Sequence, residues 1–264
     1  MCPVYQTLLR FACALVVSQF FPAVSFAQAP PVEVSRGLSW LAAQVAPDGR
    51  LTSEAQSIAT ALQSRTEAAN TLRLLATPST RLDGILTSNT VEGTEDLARK
   101  LIHVARSGGT VAGLTADLLS RQNFDGGFVP MVGAASNAYD TAWALVALAA
   151  AGVASGAESN RARAFLEQAQ QTDGGIGLST EVARIVETSI ALEAFRTSNE
   201  LTYATARASA ASFLKSKQLP DGSWRGDIYL TASTFNALAS EGLSSTERER
   251  VYVWLRGTQS LDGS

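Results

Sequence analysis

The residues in this sequence whose types could carry chemistry are few, and their spacing limits what that chemistry could be. One histidine, His103, and two cysteines, Cys2 and Cys13, are all the imidazole and thiol groups in the 264-residue chain. A tetrahedral zinc site of nitrogen and sulfur donors cannot be assembled from them once the cysteines are set aside as below. A serine–histidine pair would have to use His103, which lies in Leu97-Ala-Arg-Lys-Leu-Ile-His-Val-Ala-Arg106. Helical spacing there puts it on a polar face with Arg99 and Arg106, so it reads as a solvated side chain. No Gly-x-Ser-x-Gly elbow or Walker loop occurs. Ser107-Gly108-Gly109-Thr110 is better read as the end of a helix than as a phosphate cradle.

Two carboxylates stand out by position. Asp140 opens Asp140-Thr-Ala-Trp-Ala-Leu-Val-Ala-Leu148, and Glu187 opens Glu187-Thr-Ser-Ile-Ala-Leu-Glu-Ala-Phe195; a third segment of the same pattern, Leu230-Thr-Ala-Ser-Thr-Phe-Asn-Ala-Leu238, starts on leucine. As acids they are handicapped: a lone carboxyl with a pKa of about 3.9 is roughly 0.1% protonated at pH 7. The simpler reading makes Asp140 the N-cap of a helix beginning at Thr141, with Glu187 in the same place one repeat later. Phe128, Tyr139, Trp143, Trp224 and Tyr229 fall in or beside the loops that lead into these segments. They admit two readings: a stacking site for an apolar ligand, or Phe128 and Trp143 as core with Tyr139 and Tyr229 on the surface.

The elements that must position these groups come from an internal repeat. Trp40-Leu-Ala-Ala-Gln-Val-Ala-Pro-Asp48-Gly49 is matched by Phe165-Leu through Asp173-Gly174, by Phe213-Leu through Asp221-Gly222 and by Trp254-Leu through Asp262-Gly263. A further copy, Leu118-Leu-Ser-Arg-Gln-Asn-Phe-Asp125-Gly126-Gly127-Phe128, lacks the aromatic but keeps a glutamine three residues before the aspartate: Gln122, like Gln170, Gln218 and Gln259. A degenerate member is expected over Leu74-Leu75 to Asp83-Gly84, with Thr80 in the glutamine's place and Pro78 disturbing the preceding helix. Asp125, Asp173 and Asp221 follow at intervals of 48 residues and Asp262 comes 41 later, a period that suits one two-helix unit per repeat. Each unit reads as helix, Asp-Gly turn, loop, alanine-rich helix. Glycine takes the positive φ that ends a helix, and aspartate bonds its own downstream backbone. One such hairpin cannot bury its apolar face alone, so the copies form one domain.

Residues 207–224, with Phe213-Leu214, Gln218, Gly222 and Trp224 in place, resemble the QW motif of squalene-hopene and oxidosqualene cyclases. The wider pattern, Gln-x-x-Asp-Gly-Gly-Phe and then Asp-Thr-Ala, is similar to the prenyltransferase and squalene-cyclase repeat. The resemblance covers residues 36–264 and implies an all-α fold, an α/α toroid of outer and inner helices around a cavity, with Gln218 and Trp224 structural. Spacing alone leaves an open solenoid equally open. The last copy stops at Asp262-Gly263-Ser264 without its inner helix, so the toroid is expected to be incomplete at the C-terminus.

The resemblance also sets out which chemistry is missing. Class II terpene cyclases use Asp-x-Asp-Asp-Thr-Ala, whose central aspartate is the acid. Here the stretch is Asn137-Ala-Tyr139-Asp140-Thr141-Ala142, which leaves a phenol in the donor position and no partner carboxyl to hold a proton. The zinc ligands of protein prenyltransferases and the thioester segment of alpha-macroglobulin domains are absent as well. The expected function is a non-catalytic binding or interaction module, with an apolar small molecule or another protein as partner and no cofactor or metal. Its rivals are an isoprenoid-converting enzyme and a receptor for a corrinoid-like or isoprenoid ligand.

Composition bounds the rest. With 46% hydrophobic and 17% charged residues and a net charge of −3, the chain can bury a core and offers no field to collect nucleic acid. Residues 1–27 carry one charge, Arg10, an apolar run from Phe11 to Phe21, and Ser25 and Ala27 before Gln28. These are the marks of a cleaved signal peptide, followed by a linker over 28–35 and the repeat domain over 36–264. Cleavage after Ala27 removes both cysteines, places the product in the periplasm, at the cell surface or outside the cell, and leaves no segment long enough to span a bilayer.

Overall fold

A computed structural model describes residues 30–57, 59–177, 180–198 and 201–264. The expected signal peptide and its cleavage site lie outside the described residues. Among those described, the elements are all helical: eleven α-helices, with short 3-10 turns at Glu54–Gln56 and Leu201–Tyr203. Contacts divide the chain into two units, one holding residues 90–217 and the other residues up to 89 together with 218–264.

In the unit of residues 218–264 and 30–89 the helices are α1 (Val32–Ala43), α2 (Ala61–Leu74) and α3 (Thr80–Ser88), and later in the chain α10 (Ile228–Ala237) and α11 (Ser245–Thr258). Thr60 and Gln63 close a capping box on α2, and Ser244 with Glu247 does the same for α11. These pairs satisfy backbone amides that a helix start otherwise leaves open. α1 begins at Val32, inside the stretch expected as linker.

The degenerate copy is corrected here. Asp83-Gly84 is not a turn: Ser79 takes the Leu82 amide on its hydroxyl, a helix starts at Thr80, and the dipeptide falls inside it, with Asp83 in the first turn. Leu74 closes the inner helix α2 instead of belonging to an outer one. The real outer helix of this repeat is α3, held to α2 by the Arg73–Asp83 ion pair at 2.7 Å.

In the unit of residues 90–217 the helices are α4 (Thr94–Arg106), α5 (Ala112–Ser120), α6 (Ala138–Ala150), α7 (Ala157–Gln168), α8 (Glu181–Arg196) and α9 (Ala204–Ser216). α4, α6 and α8 pack side by side as an inner layer, with α5 against α4, α7 against α6 and α9 against α8. Ala142, Ala144 and Ala147 of α6 are wholly buried; with no side chain beyond Cβ, they let neighbouring helices approach closely. Leu97, Leu101, Phe128, Leu145, Leu148, Leu166 and Ile176 fill the core between the layers. α4 ends with Gly108 at φ +76 and the Gly109 amide on the Val104 carbonyl, so Ser107-Gly108-Gly109 does terminate a helix.

The outer helices that lead into them end in one repeated turn. The amide two residues after the aspartate donates to its Oδ1 at Arg50 to Asp48, Gly127 to Asp125, Gly175 to Asp173, Ser223 to Asp221 and Ser264 to Asp262, at 2.9–3.0 Å. Gly49, Gly126, Gly174, Gly222 and Gly263 all sit at φ between +83 and +95. The next residue is anchored by the following inner helix: the Phe128, Ile176 and Trp224 amides donate to the hydroxyls of Thr141, Thr188 and Thr231 at 2.8–2.9 Å. In the first repeat the Leu51 amide goes to Glu54 Oε2 instead, and Arg65 clamps that carboxylate at 2.8 and 2.5 Å. Burial opposes the Glu54 charge, but Arg65 and the Leu51 amide outweigh it and hold the carboxyl below its ordinary range.

Candidate functional site

The repeat brings polar side chains together where α4 and α6 begin. α6 opens at Ala138 because Asn137 leaves the helical conformation and its side chain accepts the Asp140 amide at 2.8 Å. Asp140 therefore sits in the first turn of α6 and is not its cap, which corrects the N-cap reading. Its Oδ1 accepts the backbone amide of Glu95, in the first turn of α4, at 3.1 Å, and its Oδ2 accepts Asn137 Nδ2 at 2.8 Å. Asp140 caps a neighbouring helix, 45 residues away in sequence. Glu187 likewise lies within α8, whose cap is Thr180.

Around Asp140 the groups are interlocked. Glu95 Oε1 accepts both the Tyr139 hydroxyl at 2.9 Å and Arg99 Nε at 2.8 Å. The Arg99 guanidinium lies 3.9 Å from the centre of the Trp143 ring, and Tyr139 meets the same indole edge-on with centroids 6.4 Å apart. Arg121 Nη1 donates to the Glu92 carbonyl at 2.5 Å, which brings a second cation to the start of α4. Burial pushes the Asp140 carboxyl above its ordinary range; the Asn137 amide opposes this, the Glu95 charge adds to it, and Arg121 counters it. Asp96 is raised by burial and by Glu95. Glu187 is raised by burial against the pull of Arg184, and its carboxylate fills the space where a side chain on Gly177 would stand.

Of the aromatics singled out in the sequence, Tyr139 and Trp143 are brought together, half-buried, on α6. Phe128 and Trp224 have no exposed surface and present nothing to a ligand. Tyr229 is half-buried on α10, in the other unit. His103 needs a correction: it is completely buried, and Arg99 beside it is 4% exposed. α4 is packed by α6 and α5, so His103 and Arg99 are enclosed by protein, and of the face that looked solvated only Arg106, at the end of the helix, is exposed. Glu95, Asn137 and Arg121 had not been singled out as site residues. Each has a partner three or four residues away, in Arg99, Asp140 and Asp117. The contacts that gather them, from Glu95 to Tyr139 and Asp140 and from Arg121 to Glu92, span 29–45 residues and have no local signature. The threonines at 141, 188 and 231 carried a visible signal, since each follows the same position of its inner segment.

Among the described residues no cluster of histidine and carboxylates is arranged to hold a metal ion, and no helix is long and apolar enough to cross a membrane. No protein-family profile and no curated protein matches the chain. Solved structures do, among them these two. An ent-copalyl diphosphate synthase from Streptomyces platensis superposes with a TM-score of 0.59 at 17% identity, over 88% of this chain and 50% of that one. A protein from Actinoplanes gives a TM-score of 0.50 at 17% identity, over 98% of this chain and 72% of that one. The chain thus spans half the length of the synthase it resembles. At this identity the likeness shows the fold, an all-α arrangement of the α/α-toroid type on a terpene-cyclase-like scaffold.

Proposed function

We propose that this chain is a non-catalytic binding or interaction module of an exported protein, built on a terpenoid-cyclase type of scaffold. The observation that carries the reading is the engagement of Asp140. Both of its oxygens accept hydrogen bonds, one from the Glu95 amide that ties α4 to α6 and one from the Asn137 side chain at the start of α6 itself, which is a structural use of the one carboxylate left in the acid stretch. Its neighbour Tyr139 donates a hydrogen bond from its hydroxyl to Glu95, and Glu95 is ion-paired with Arg99. A proton donor to an alkene needs a protonated acid free to face the substrate; this arrangement spends its donors and acceptors on one another.

The half-buried pair Tyr139 and Trp143 supports an apolar small molecule or a protein side chain as the partner, since aromatic edges combine apolar area with few rotamers. One observation favours an enzyme instead: burial lifts the Asp140 carboxyl in the direction an acid requires. Incubation of the purified protein with squalene and with prenyl diphosphates, followed by product analysis, separates the two. No turnover is expected. Time-dependent product that disappears in Asp140→Asn would establish the enzyme and overturn the module. Thermal-shift screening against isoprenoids and corrinoids tests the small-ligand form, because selective binding must raise the melting temperature.

A further inference from the structure

The joint between successive repeats has a fixed chemistry. Gln122 Nε2 donates to the Gly126 carbonyl of its own turn at 2.9 Å and to the Glu158 carbonyl of the next outer helix at 2.8 Å. Gln170 does the same with Gly174 and Ala206, both at 2.9 Å. Three residues beyond each receiving carbonyl the turn glycine lands on backbone. A Cβ on Gly126 would stand 2.7 Å from the Arg161 oxygen, and one on Gly174 2.3 Å from that of Ser209.

The last turn repeats this on the first helix. Gln259 Nε2 donates to Gly263 O at 3.3 Å and to Glu33 O at 3.1 Å, across 226 residues of sequence. Gly263 lies where a Cβ would be 2.4 Å from the Arg36 oxygen, again three residues on, and a Cβ on Gly37 would meet Gln259 Nε2 at 3.3 Å. The turn uses α1 as though it were the following repeat.

α1 buries little of itself. Gly37 and Leu41 are its buried residues, whereas α4 buries eight. Pro31 gives it no side-chain cap, and Val32 in its first turn is 64% exposed. An element with so few buried apolar contacts belongs to the low-stability end of a structure.

We infer that the Gln259–Ser264 turn is a clasp and α1 a strap that it holds shut, docking and undocking as one unit while the α4–α6–α8 layer stays folded. Opening bares the backbone seat at Gly263 and the side chain of Leu41, which is 1% exposed when α1 is docked. This stands independently of the binding-module reading.

Hydrogen exchange followed by mass spectrometry on the full chain tests it, comparing the parent, Gln259→Ala and Gln170→Ala. In Gln259→Ala the amides of α1 and of residues 259–264 should exchange together, on the order of tenfold faster than in the parent, with α4 and α6 unchanged. Gln170→Ala should leave α1 protected. Unchanged α1 protection in Gln259→Ala, or α1 exchanging only along with α4 and α6, would overturn the clasp. Gly263→Ala provides a stronger lesion at the same joint, and should this variant fail to fold, Gln259→Ala still decides the matter.

Discussion

Asp140 on α6 accepts the backbone amide of Glu95 on α4 at 3.1 Å, so a carboxylate in the first turn of one inner helix completes the start of its neighbour. Removing it leaves the Glu95 amide and the Asn137 side-chain amide without that acceptor. Asp140→Ala is expected to lower stability by about 1–3 kcal/mol, seen as an earlier urea midpoint. Asp140→Asn keeps a carbonyl for the Glu95 amide and should lose less than half of that. Equal losses in the two variants would show that the bond to Glu95 contributes little.

Gly174 and Gly133 share a φ of +86 but differ in surroundings: a Cβ at 174 would fall 2.3 Å from the Ser209 oxygen, and one at 133 meets nothing within 4 Å. Gly133→Ala should cost about 1–2 kcal/mol, the left-handed conformation alone. Gly174→Ala adds a collision with backbone that cannot step aside, so its cost should exceed that by about 1–3 kcal/mol. Matched denaturation curves for both variants measure the difference; similar losses would mean that the repeat joint yields.

How much of this could be read beforehand follows from the range of each interaction. The Asp-Gly turns were legible because the requirement for positive φ and the bond from Asp Oδ1 to the amide two residues on are both local. Asp83-Gly84 has the same letters and no turn, because Ser79 starts a helix ahead of it. Asp140 and Asn137 are both good caps, and periodicity does not choose between them; Asn137 caps α6, and Asp140 is turned to the Glu95 amide, 45 residues upstream. His103 and Arg99 looked solvated because a helical wheel assumes one wet face along the whole helix, and the middle of an inner helix has none. The seat of Gln259 on Glu33 joins the two ends of the described chain and has no local signature.

Ala76, just after α2, sits at φ +57 with its amide on the Arg73 carbonyl and the Thr77 amide on that of Leu72. Gly108 and Gly152 hold the equivalent position after α4 and α6. Ala76 therefore bears a conformational penalty that glycine would relieve. Ala76→Gly should stabilise the protein by about 0.5–1 kcal/mol despite the greater freedom of its unfolded chain. A lower melting temperature in this variant would contradict the assignment of strain.

Glu187 is pushed up by burial, with Arg184 pulling the other way. A carboxyl whose folded-state value is raised binds its proton more tightly when folded, so its contribution is full below the unfolded value and is lost as pH rises through the folded one. Ionised Glu187 is thus a cost at neutral pH. Glu187→Gln should melt about 1–2 °C above the parent at pH 7, with the gap closing as pH falls toward about 4. A gap that does not change with pH would assign the effect to packing. Asp173, held low by Arg184 and the Gly175 amide, should respond in the opposite sense, its contribution fading as pH falls.

Thr188 offers the sharpest test of the turn anchor. Its Oγ1 accepts the Ile176 amide at 2.9 Å, and both residues are completely buried. Thr188→Val keeps the shape and removes the acceptor, leaving a buried N–H unpaired at a cost of about 1–3 kcal/mol. Thr188→Ser keeps the hydroxyl and gives up one methyl, for about 1 kcal/mol. The order Val worse than Ser is the prediction, because apolar bulk alone would rank them the other way. The Ile176 amide itself is the second readout: its hydrogen exchange should speed up in Thr188→Val and stay slow in Thr188→Ser. If the amide remains protected in the valine variant, the turn is held by its aspartate and glycine alone, and the inner-helix threonine is not part of the repeat's architecture.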